Sequence, residues 1–93
     1  PAYVYMFIEA MADGAVASGL PREKALTYAA AALAGAAEMA LVTKQPPQTL
    51  KDAVCSPGGS TIAGVRALED EDFQATVMNA IRAAYNRNVE LGK

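Results

Sequence analysis

The 93 residues predict an all-α domain, and three observations carry that prediction. Apolar residues recur at helical spacing along nearly the whole chain. Glycine and proline cluster at a few points that cut it into pieces of helical length. No stretch alternates apolar and polar residues as a half-buried strand would, and no internal repeat or low-complexity linker is present. The reading is a bundle of about five helices.

In the first helix Val4, Phe7, Ile8, Met11 and Ala15 keep the i, i+3, i+4, i+7 rule, and only Glu9 and Asp13 carry charge between Ala2 and Ala17. A helix that is apolar nearly all round has to be enclosed by others. Gly19 supplies its stop, and Pro21, followed by Arg22, Glu23 and Lys24, opens the second helix at the first helical position. The centre of that helix, "AAAALAGAAEMAL", is a thin cylinder of alanine from Ala29 to Ala37 with Gly35, which lets neighbours approach closely and suits a central post. Gln45, Pro46 and Pro47 end it, and a short third helix runs from about Pro47 to Val54. Next comes "SPGGST". Pro57 fixes its own φ and biases Ser56 toward extended backbone, Gly58 and Gly59 permit angles and approaches that a Cβ forbids, and Ser60 or Thr61 caps a fourth helix through Ile62, Val65, Ala67 and Leu68. The acidic run Glu69 to Asp72 opens the fifth helix, where Phe73, Val77, Ile81 and Tyr85 form an apolar stripe and Asn79, Arg82 and Asn86 face away from it.

Length and composition set the context. Ninety-three residues make one domain, residues 1–93, whose share of buried surface is modest, yet 53% of the residues are hydrophobic. Two long helices that need neighbours on every side cannot be satisfied within one such chain. An obligate homodimer with interdigitated helices is therefore expected, its interface resembling a core cut in two. A net charge of −2 without a basic run points away from nucleic acid. The longest apolar run, Tyr28 to Val42, is interrupted by Glu38 and falls short of the roughly 20 residues of a bilayer span, and no signal pattern opens the chain. No membrane association and a cytoplasmic location are the expectation. One cysteine and no histidine exclude a disulfide framework, a zinc site and a histidine-based nucleophilic triad, so no metal is expected. Cys55 reads as a small hydrophobe. A start at Pro1 rather than methionine suggests a piece of a longer protein.

Two readings of the glycine turn stand side by side. The first turn of the fourth helix presents unpaired N–H groups and the positive end of the helix dipole above Gly58 to Thr61, a cradle for a carboxylate or phosphate that needs no arginine or lysine. Ser-Pro-Gly-Gly-Ser is equally a common corner between two helices, and spacing alone favours the plain turn.

"PAYVYMFIEAMADGAVASGLPREKA" at the start, "LKDAVCSPGGSTIAGVRALE" in the middle and "NRNVELG" at the end, in that order over essentially the whole chain, resemble the C-terminal domain of the pyrroline-5-carboxylate reductase family. The resemblance implies an all-α dimerisation unit in which two subunits interweave through the first, second and fifth helices, with dimers often built into larger rings such as decamers. It implies an N-terminal Rossmann domain, outside these residues, that holds NADPH or NADH; no G-x-G-x-x-G occurs here. It implies a substrate, 1-pyrroline-5-carboxylate, reduced to L-proline. Ser56, Gly58, Gly59, Ser60 and Thr61 then form the pocket for the substrate carboxylate, and the Thr61 hydroxyl lies against the imine nitrogen as the catalytic group. Lys51 and Asp52 belong to the signature without an assigned chemistry, whereas Ala53 and Lys44 depart from the asparagine and glutamate that some relatives carry. Without the signature, composition and periodicity would favour a free-standing helical interaction module with no catalysis. A different dehydrogenase with a similar helical tail is a third reading.

Overall fold

The computed structural model describes residues 1–92 and contains there five α-helices and no strand: α1 (Ala2–Ala17), α2 (Arg22–Thr43), α3 (Pro47–Ala53), α4 (Ser60–Asp70) and α5 (Phe73–Leu91). The all-α expectation and the count of helices hold. The chain divides into two compact units, Pro1–Leu50 and the residues from Lys51 onward.

The first unit is the α1–α2 hairpin. α1 ends because Gly19 adopts φ +114°, which lets its N–H bond Val16 O at 3.0 Å while the Leu20 N–H reaches back to Ala15 O at 3.0 Å. This paired arrangement consumes two carbonyls that the helix end would leave unsatisfied. Pro21 lies at φ −61°, ψ 143°, so it is the N-cap of α2 and not its first helical residue; its carbonyl accepts the Ala25 N–H at 2.9 Å. The ring fixes φ alone, and ψ, which decides helical membership, is extended here. Across the turn the Arg22 guanidinium hydrogen-bonds Asp13 and lies 3.8 Å from Glu9. Glu9 and Asp13, one turn apart on α1, thus share one cation at the start of α2.

Only Ala12, Ala25 and Ala29 are buried among the described residues. The seam of α1 differs from the expected one: Ala12 is buried and Phe7, Ile8 and Ala15 are half-buried, whereas Val4 and Met11 are 43% and 37% exposed. A methyl side chain permits closer helix approach than a methionine, and on a helix apolar all round the periodicity does not say which stripe meets its neighbour. α2 closes with the Thr43 hydroxyl donating to Met39 O at 2.7 Å and accepting from the Gln45 N–H at 3.2 Å; Lys44 is left-handed at φ 57°. The apolar run noted in the sequence is part of this 22-residue helix, which by length and composition alone would span a bilayer.

α3 begins beneath the Pro46 carbonyl, which accepts from the N–H groups of Thr49 and Leu50, and unwinds through Val54 N–H to Lys51 O and Cys55 N–H to Asp52 O, both 3.2 Å. In the second unit α4 packs on α5. The acidic run does not open α5 as expected. Glu69 and Asp70 end α4, Glu71 caps it, and Asp72 stands in the left-handed region at φ 56°, ψ 40° as the N-cap of α5, accepting the Thr76 N–H at 3.0 Å. A left-handed residue breaks the i to i−4 ladder, so the helices must part at Asp72; aspartate tolerates that conformation better than most residues.

The surface this leaves is unusual. The chain exposes 7490 Å². Two separately compact halves of a chain of 9.7 kDa would expose about 6,200 Å². Along α5 the expected stripe is uncovered, with Phe73 40%, Val77 42%, Ile81 55% and Tyr85 68% exposed. Arg82, placed by the sequence on the opposite face, borders the same shallow apolar groove as Val77, Met78, Ile81 and Tyr85. Its position four residues after Met78 and three before Tyr85 puts it on their side of the helix.

Candidate functional site

The site is assembled from the turn between α3 and α4. Ser56, Pro57, Gly58 and Gly59 form a β-turn closed by the Gly59 N–H donating to Ser56 O at 3.0 Å, with Pro57 at the second position and Gly58 at the third, φ +72°. These are the features of a type II turn, which needs a positive φ at its third residue and takes proline readily at its second. The two glycines meet different demands. A Cβ at Gly58 would meet nothing within 4 Å, so the demand there is purely dihedral. Gly59 has ordinary extended angles, φ −83°, ψ 175°, but a Cβ there would lie 3.3 Å from Ser56 O, tighter than most real contacts.

The turn hands the chain directly to α4. Gly59 is the N-cap, its carbonyl accepting the Ala63 N–H at 3.3 Å, and Ser60 and Thr61 are the first two helical residues. The expectation that Ser60 or Thr61 caps α4 is therefore corrected: the cap makes no side-chain hydrogen bond. The reason lies in the turn, whose closing bond and crowding at Ser56 O make glycine the residue in the capping position. Both hydroxyls are consequently left for other partners, and both residues are exposed. The backbone N–H groups of Ser60, Thr61 and Ile62 lie ahead of the first helical carbonyl and have no intrahelical acceptor. The helix dipole adds positive potential at the same place.

All five sequence-predicted site residues, Ser56, Gly58, Gly59, Ser60 and Thr61, thus fall in one turn and the first turn of one helix. Ser56 contributes its carbonyl to closing the turn, and Gly59 is half-buried. Below them Lys51 is half-buried in the last turn of α3, and Cys55 is half-buried rather than enclosed. Amide dipoles and hydroxyls arranged in this way suit an anion without a formal counter-charge. Among the described residues no group of histidine, cysteine, aspartate or glutamate is placed to hold a metal ion.

A family model described as pyrroline-5-carboxylate reductase dimerisation matches residues 1–91. The chain belongs to the pyrroline-5-carboxylate reductase dimerisation family. The chain is 52% identical over 93 residues to the pyrroline-5-carboxylate reductase of Escherichia coli (strain K12), covering 100% of this chain and 35% of that protein. It is 55% identical to that of Arabidopsis thaliana, covering 100% of this chain and 34% of the relative. Among solved structures, a pyrroline-5-carboxylate reductase from Coxiella burnetii superposes with a TM-score of 0.95 at 38% identity, over 100% of this chain and 34% of that one. The Plasmodium falciparum pyrroline carboxylate reductase with NADP bound superposes with a TM-score of 0.86 at 46% identity, over 90% and 32%. The chain therefore spans about a third of the length of the curated relatives it matches.

Proposed function

We propose that residues 1–93 are the C-terminal dimerisation and substrate-binding domain of a pyrroline-5-carboxylate reductase, a cytoplasmic enzyme that reduces 1-pyrroline-5-carboxylate to L-proline with NADPH or NADH. The observation that carries the reading is the Ser56–Thr61 turn. It combines a backbone cradle suited to a carboxylate with two hydroxyls released from capping, in a chain of this family.

In this reading the amides at the start of α4, with the Ser56 and Ser60 hydroxyls, hold the substrate carboxylate, and Gly58 and Gly59 let its oxygens approach the backbone closely. Thr61 places its hydroxyl against the ring nitrogen. Reduction of a cyclic imine adds hydride at carbon and a proton at nitrogen, so one positioned donor and a fixed ring supply much of what the protein must contribute. The only regular elements among the described residues are helices, with no strand followed by a glycine-rich turn, so they do not fit a dinucleotide. Cofactor binding falls to an N-terminal Rossmann domain outside them.

The partner in this reading is a second copy, held through α1, α2 and α5, with dimers assembled into a larger ring such as a decamer. Support comes from area. Surface in excess of two compact halves is about 1,300 Å² per chain, so covering that excess on both chains would remove about 2,600 Å², within the range of obligate homodimers. The apolar stripe on α5 and the alanine face of α2 are the surfaces such pairing would cover, their helices interdigitating across the two-fold. The decisive experiment is turnover by the full-length protein: NADPH- or NADH-dependent reduction of 1-pyrroline-5-carboxylate supports the assignment. Turnover of 2-hydroxy acids with none of the imine would overturn it.

A further inference from the structure

We draw no further inference here: the strongest candidate, the exposed apolar groove along α5 lined by Val77, Met78, Ile81, Arg82 and Tyr85, carries nothing new because its cover by a second copy restates the dimerisation that characterises the family.

Discussion

Replacing Thr61 by valine in the full-length enzyme separates a chemical role from a structural one. The structure sets the stability side of the comparison. α4 is capped by Gly59 without a side-chain hydrogen bond, and Thr61 is an exposed second residue of the helix. Threonine and valine differ little in helix propensity, so Thr61→Val should change stability by less than about 0.5 kcal/mol. A threonine that capped the helix would instead cost about 1 kcal/mol on replacement. If the hydroxyl is the donor at the imine nitrogen, its loss should lower kcat by about 10²–10³, or about 2.7–4 kcal/mol of transition-state stabilisation, while cofactor affinity is unchanged. The assay pairs steady-state kinetics on 1-pyrroline-5-carboxylate with urea denaturation of the same preparation. An unaltered kcat would refute the placement of Thr61 at the nitrogen, and a denaturation midpoint lowered by the equivalent of about 1 kcal/mol would refute the absence of a Thr61 side-chain cap on α4.

The two glycines of the turn should respond differently to substitution. Gly58→Ala should destabilise the domain by about 1 kcal/mol through its φ of +72°, with Gly58→Asn recovering part of that loss. Gly59→Ala should act through the Ser56 carbonyl 3.3 Å away, and asparagine should not rescue it; equal rescue at both positions in chemical denaturation would contradict the assignment of causes. Tyr85 is 68% exposed, so if α5 pairs with a second copy as proposed, covering it is worth about 3 kcal/mol per protomer. Tyr85→Asp should therefore weaken self-association at least about a hundredfold, and sedimentation equilibrium showing the unmodified 93-residue chain as a folded monomer at micromolar concentration would remove the basis for that expectation. The same chain alone should show no NAD(P)H-dependent reduction of 1-pyrroline-5-carboxylate, and measurable turnover would refute the placement of the cofactor site elsewhere. Arg22→Ala should cost less than about 1 kcal/mol, because the Arg22 and Asp13 side chains are 45% and 66% exposed, and the small difference should shrink in high salt; a large, salt-independent loss would mean that the clasp is buried by a partner.

Much of this protein could be read from its residues because the signals were local. Gly19, the Gln45–Pro47 cluster and Pro57 with the two glycines act on their own backbone, so the helices fell within a residue or two of the expected limits at α1, α2 and α3. The glycine turn was legible for the same reason: proline at its second position and glycine at its third demand little from the rest of the chain. Detail was lost wherever a side chain had a choice of partners. Ser60 and Thr61 looked like caps because their type favours capping, but the close approach of residue 59 to the Ser56 carbonyl put glycine in that position. The acidic run looked like a helix start because carboxylates favour N-termini, yet the left-handed backbone at Asp72 divided it between two helices.

What the sequence determined by itself was therefore the all-α class, the division into helices, the turn that brings the five candidate residues together, and an apolar excess too large for one chain. Tertiary structure alone decided that Ala12, rather than Met11, is the buried residue of α1, and that Arg22 clasps Glu9 and Asp13. Turns are set by φ preferences and close contacts within a few residues. The seam of a helix that is apolar on every side is set by how closely its neighbour can approach, which depends on the shapes of both helices and leaves no period in either.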